Sequence, residues 1–389
     1  MALLKNLLAA FALASLASAS CTNPPVRKEW RKLSDDEKKS YISAVQCLQA
    51  KGAKTTSFFP GARTRYDDFV APHINETDYV HFVGHFQAWH RYYVSAYESA
   101  LRNECGWEGG QPYWDWTLDA EDFLSSPIFD PVTGFGGNGY YIDSSNDTSV
   151  RLHIPGKTGG GCVSTGPFAN YTVNMGPNNS TAYNPRCFRR DISPWLASQK
   201  LNSTVVETAL AGETFQEFDI LAQGQVSVEG LTYHGGGHLG VGGDLGMMGD
   251  LYNSPSDPLF FLHHAAMDRI WWKWVNVDFE ARVNDISGPD TQFAYPFDFY
   301  GEVPYQNITL DYQMHVGPLS NSSWVRVGDV MDIQKGVLCY DLVIIHLPAL
   351  WIGFDDLPPS YVSVSWVGLA TVPLNFTVTT VRPVVRAAG

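Results

Sequence analysis

The chain has 389 residues, enough for two or three domains and a full-sized core. Forty acidic residues against 26 basic ones leave a net charge of −14, which argues against nucleic-acid or anionic-membrane partners, since both recruit clustered Lys and Arg. With 17% charged and 13% aromatic residues, the composition is that of a dense globular protein and the opposite of a disordered one.

Residues 1–20 carry one positive charge at Lys5, an apolar run from Leu7 to Leu16 and the small residues Ala17-Ser18-Ala19, the layout of a cleaved signal peptide. The run is shorter than the roughly 20 residues of a bilayer span, and no later stretch reaches that length. Ser34-Asp35-Asp36-Glu37 is a capping-box pattern that opens a helix over 34–50, with Tyr41, Ile42, Val45 and Leu48 on its apolar face. Phe86, Trp89, Tyr93, Ala96, Tyr97 and Ala100 recur at helical spacing and predict an aromatic-faced helix over 86–103. From 119 to 201 the chain is rich in Gly, Pro, Asn and Ser and holds neither period, so a loop-rich insertion is expected, with Cys162–Cys187 a possible tie. Helical spacing returns over 204–221, and 263–277 predicts another helix carrying Ile270, Trp271 and Trp274. The tail, 341–389, alternates apolar and polar residues around Val362 and Phe376; a small β appendage and a non-native extension are its two readings.

Export agrees with two further features. Sequons begin at Asn75, Asn146, Asn170, Asn178, Asn179, Asn202, Asn307, Asn321 and Asn375, a density suited to a glycosylated surface. The six cysteines, Cys21, Cys47, Cys105, Cys162, Cys187 and Cys339, allow up to three disulfides, and none sits at CxxC spacing.

The histidines concentrate the chemistry. His73, His81 and His90 follow one another at intervals of eight and nine; His234 and His238 are four apart and share a face if helical; His263-His264 opens a helix. Neutral imidazoles without carboxylate ligands suit Cu, Zn, Fe or Ni. The metalloprotease pattern needs Glu directly after the first His, where this chain has Gly235.

In order along the chain, Tyr66-Asp67-Asp68-Phe69, His73, His81 and Trp89-His90-Arg91-Tyr92-Tyr93 are followed by Pro112-Tyr113-Trp114-Asp115-Trp116. Then come Tyr233-His234 through His238 and Ser254-Pro255-Ser256-Asp257-Pro258 through His263-His264 to Asp268-Arg269-Ile270-Trp271. These motifs resemble the tyrosinase and catechol oxidase branch of the type-3 copper proteins, over about residues 21–340. The resemblance implies a mainly α fold, a helical bundle housing a dinuclear copper site, with long irregular loops and a few short strands. It makes His73, His81 and His90 the ligands of one copper and His234, His238 and His264 those of the other. His263 then neighbours the site, His85 is a non-ligand on the helix surface or just behind the site, and Phe260 packs over the second copper. Asp268 is expected to orient a ligand imidazole, and Arg91 and Asp115 to be structural.

Two departures bear on the substrate. Many relatives place Cys two residues before the second ligand and cross-link it to a histidine; here Tyr79 stands there, so no such thioether is expected. Monophenol-hydroxylating relatives often carry Asn after the first ligand of the second copper; here Gly235 leaves the phenol proton without an obvious base, and Glu213, Glu217 and Glu229 are unassigned substitutes. Leu239 makes the entrance apolar. The reading is a secreted dicopper phenol oxidase that uses O2 to turn o-diphenols into o-quinones, with monophenol hydroxylation left open, in pigment or phenolic secondary-metabolite formation. A reversible oxygen carrier of hemocyanin type and a zinc hydrolase are its rivals.

Overall fold

A computed structural model describes residues 21–320 and 324–342. The expected signal peptide and all but the first two residues of the expected tail lie outside them, as do the sequons at Asn321 and Asn375.

The first α-helix is α1 (Asp35–Ala50), capped as its sequence implies: the Ser34 side chain accepts from Glu37 N and the Glu37 carboxylate from Ser34 N. A helix with no clear sequence signal follows, α2 (Asp67–Val80), which contains Pro72. Proline inside a helix removes a backbone bond; here the N-terminal turn is pinned by its own acids. Asp67 accepts from Arg63 N and Thr64 N, and Asp68 from Lys54 N and Thr55 N. The aromatic helix α3 (Phe86–Cys105) stops at Gly106, whose φ of 73° lets its amide return to Leu101 O.

The insertion is mostly irregular, with short two-stranded ladders such as Thr172–Val173 with Arg186–Cys187. It also contains α4 (Pro194–Lys200), for which the composition gave no hint. The helical stretch expected over 204–221 is two helices, α5 (Ser203–Leu210) and α6 (Phe215–Gln223). The break falls at Gly212, and Thr214 and Glu217 form a new capping box. The glycine-rich segment is helical, α7 (Tyr233–Gly242), and α8 (Leu259–Val275) begins four residues before the expected start.

The core is one aromatic-rich cluster in which α3 packs along α8, and α2 and α7 flank them. Its ends are tied together. Val26–Arg27 pairs in parallel with Asp341–Leu342, and Cys21–Cys339 bridges 318 positions beside it. Cys47–Cys105 joins α1 to the end of α3, and Cys162–Cys187 closes the insertion as anticipated. No helix among the described residues is long and apolar enough to cross a membrane.

Candidate metal centre

Four helices deliver the histidines. His73 projects from α2, His81 caps that helix's C-terminus, and His90 lies in the second turn of α3; within this trio one ring nitrogen from each lies within 4.8 Å of the others. His234 and His238 on α7 and His264 on α8 form a second trio by the same measure. The trios face each other: the rings of His90 and His264 stack at 4.4 Å and 11°.

Backbone carbonyls set the ring orientation. His73 Nδ1 is 2.8 Å from Tyr252 O, His81 Nδ1 2.9 Å from Thr77 O, His90 Nδ1 2.9 Å from Phe86 O, and His238 Nδ1 3.1 Å from Met248 O. A carbonyl only accepts, so each of these Nδ1 atoms carries the proton and each Nε2 presents a lone pair inward. The Nε2 atoms of His73, His90 and His234 are buried with no hydrogen-bond partner, and those of His238 and His264 approach to 3.1 Å. Buried acceptors without donors are costly. A cation between them satisfies every one, so the residues fit a metal pair. Burial is the main reason that His81 is pushed down to about 4 and His238 to about 3, with the other four well below their ordinary range. All six rings are therefore neutral, the ligating form.

Phe260 separates this centre from bulk core, its ring 4.2 Å from His264 and 5.0 Å from His73. Phe86 does the same beneath His90 and His234, at 4.5 and 4.7 Å. The glycines of α7 have a packing reason. A Cβ on Gly237 would come within 2.2 Å of the His263 ring, and one on Gly236 within 2.6 Å of Lys200 Cβ, whereas one on Gly235 meets chiefly the tip of Leu231. Leu239 packs into the small apolar cluster of Ile154, Leu196 and Leu231.

His263 stands outside both trios; its Nδ1 accepts from Trp116 Nε1 at 3.2 Å. His85 also stands outside them. It is buried against Tyr312 rather than on the helix surface, 4.6 Å between rings, and burial pushes it down to about 4.

The expectation for Asp268 is corrected. Its carboxylate accepts from Arg27, Arg91 and Tyr340, with Arg27 also bonded to Glu98, and it reaches no imidazole. Three strong donors compete for two oxygens, and they come from near the two ends of the described residues and from α3, so Asp268 ties the fold. Arg91 is structural in the same cluster, and Asp115 accepts from Thr117 with Arg269 3.7 Å away. Every cysteine is in a disulfide, and Tyr79 is 67% exposed, so the described residues offer no free thiol to a ligand histidine. Glu217 is spent on its capping box, and Glu213 and Glu229 are exposed.

One residue that the motifs did not reveal is Gln223 at the end of α6. Its Oε1 accepts from Phe82 N at 2.6 Å, and its Nε2 donates to Val83 O and to Asp219. Those acceptors fix the amide orientation, and the clamp holds the turn after His81, where Phe82 has a φ of 55°. Its contact spans 141 positions, so no local signal could have found it.

The common central domain of tyrosinase matches residues 63–277, which contain both trios. The chain belongs to the tyrosinase family. It is 36% identical over 350 residues to tyrosinase P of Aspergillus terreus, covering 85% of this chain and 95% of that one. The N-acetyl-6-hydroxytryptophan oxidase of Emericella nidulans is also 36% identical, with the same coverage. Among solved structures, a variant of a polyphenol oxidase from Thermothelomyces thermophila superposes with a TM-score of 0.72 at 36% identity, over 84% of this chain and 91% of that one. As a tyrosinase-family member the protein is a copper-dependent oxidoreductase, and the family implies a dinuclear copper centre, O2 and a phenolic substrate. Membership removes the zinc hydrolase from consideration.

Proposed function

We propose that this protein is an exported oxidase of o-diphenols, with one copper held by His73, His81 and His90 and a second by His234, His238 and His264. The observation that carries the reading is the convergence of six buried imidazoles on two points, four of them anchored to backbone carbonyls through Nδ1, with the Nε2 atoms of His73, His90 and His234 unpartnered. When bound, the copper pair supplies the two-electron oxidation of a diphenol at the expense of O2.

The chain's own residues do the rest. The carbonyls of Thr77, Phe86, Met248 and Tyr252 keep four rings aimed, so little reorganisation is left to occur during turnover. Phe260 and Phe86 keep water from the ring edges. Leu231 and Leu239 offer an apolar flank to a flat substrate ring. Beside His234 there is no side chain at 235 to accept a phenol proton, and the three candidate glutamates are exposed or committed elsewhere. A catechol, whose first hydroxyl is more acidic than that of a simple phenol, depends less on such a base. That difference favours diphenol oxidation over monophenol hydroxylation. Three disulfides and the dense sequons support an oxidising, secretory destination. A relative named for oxidising a hydroxylated indole supports a place in pigment or secondary-metabolite formation.

Parallel assays on a catechol and its monophenol test the substrate preference. Turnover of the catechol with at least a hundredfold slower monophenol hydroxylation is expected, and Gly235→Asn, whose Cβ meets the side chain of Leu231, should narrow that gap. Equal and lag-free oxidation of both by the native protein would overturn the preference.

A further inference from the structure

α8 turns about 100° per residue, so Phe260 and His264 face the metal centre while Ala266, Arg269 and Lys273 face the opposite way. Between that outer face, α5 and the segment 113–117 lies a cavity of about 120 Å³. Its size is near that of the roughly 150 Å³ apolar cavity that takes up benzene in an engineered protein. We propose that this cavity is a second ligand site, distinct from the histidine centre, that takes a monoanionic single-ring carboxylate.

The walls define the ring part. Tyr113 and Trp116 from the segment 113–117, Val206 and Leu210 from α5 and Ile270 from α8 give it a largely apolar and aromatic lining, suited to a ring. The charged part comes from Arg269 and Lys273, one helical turn apart at the cavity. Asp115, which also lines the cavity, answers part of that charge: it pairs with Arg269 at 3.7 Å, too far for a hydrogen bond, and accepts from Thr117 Oγ1 at 2.5 Å. Arg269 Nε is buried without a partner, and the Lys273 ammonium makes no hydrogen bond or ion pair among the described residues. Burial, and then the neighbouring guanidinium, hold Lys273 below its ordinary range, with Asp115 only partly opposing them. A carboxylate laid against Arg269 and Lys273 supplies what both lack. Glu207, exposed at the rim on α5, opposes a second negative charge, which limits the ligand to a monoanion.

The site is joined to the metal centre through one side chain. Trp116 lines the cavity, donates to His263 and stacks on Tyr233 at 5.6 Å, next to His234.

Calorimetric titration of the copper-loaded protein with cyclohexanecarboxylate, a probe with no phenolic hydroxyl, tests the site. The expected result is saturable binding of one probe per chain, weakened at least tenfold by Lys273→Gln and abolished by the cavity-filling Val206→Phe, with catechol KM unchanged by the probe. Both variants should keep native copper content, which shows that they fold. Absence of saturable binding, or binding that survives both substitutions, would overturn the proposal, as would inhibition competitive with catechol that persists in Lys273→Gln.

Discussion

Gln223 shows how much a metal centre can owe to a residue that never touches it. Phe82 follows His81 in the left-handed region, a conformation that costs a bulky residue roughly 1–3 kcal/mol. The Gln223 amide is what meets its buried N–H and holds the following carbonyl. Replacing Gln223 by Leu keeps the volume but strands that N–H, a penalty of about 1–3 kcal/mol. The expected outcome is a folded protein whose first trio loosens, with copper content falling from two per chain towards one and catechol kcat dropping at least tenfold. Full copper occupancy and native kcat in Gln223→Leu would show that the turn holds itself.

At the scale of elements, α7 is the helix whose composition most contradicts its structure. Three successive glycines between two histidines lose roughly 1 kcal/mol each of helix propensity, yet Gly236 and Gly237 face Lys200 and His263 too closely for any Cβ. Gly237→Ala therefore gains propensity and loses more to overpacking, on the order of 1–3 kcal/mol. A lower Tm with weakened copper retention is expected, while Gly235→Ala, opposed chiefly by a leucine tip, should leave Tm within a few degrees. Equal behaviour of the two would mean that α7 packs differently against α8. The same helix marks what was legible beforehand. Histidine spacing and the flanking motifs brought all six side chains to notice, and the Ser34 box and the aromatic period of 86–103 located α1 and α3 to within two residues. α2 was hidden because Pro72 breaks its pattern and its N-terminus is pinned by acids bonding backward to 54–64. The division of 204–221 into α5 and α6 turned on Gly212 and a second capping box inside one continuous helical period. Asp268 was misread for a different reason: its partner Arg27 is 241 positions away, and nothing local distinguishes a carboxylate that orients an imidazole from one that ties a chain end.

Across the whole molecule, burying so many neutral imidazoles makes stability depend on pH. A histidine held near 4 when folded, as His81 and His85 are, and near 6.5 when unfolded takes up its proton only on unfolding in the window between. The stability it contributes is complete above about 6.5 and is lost as pH falls towards 4, by about 1.4 kcal/mol per pH unit for each such group. Urea midpoints should thus be flat from pH 8 to 7 and fall steeply between 6 and 4.5, with copper released over the same range because the ligating form is neutral. A midpoint independent of pH down to 4.5 would mean that these rings are solvated. The tied ends resist that loss. The Cys21–Cys339 bridge closes a loop of over 300 residues, worth on the order of 5 kcal/mol in chain entropy. The Arg27, Glu98, Arg91 and Asp268 cluster, buried between the ends and α8, loses about 3–5 kcal/mol if one partner is removed.

Copper per chain, measured on the purified protein and two single substitutions, reaches the central claim most directly. Two coppers in the native protein, one in His264→Ala and two in His85→Ala are expected, because His264 completes a trio and His85 stands outside both. Two coppers retained in His264→Ala, or one lost from a folded His85→Ala, would contradict the assignment of the six ligands.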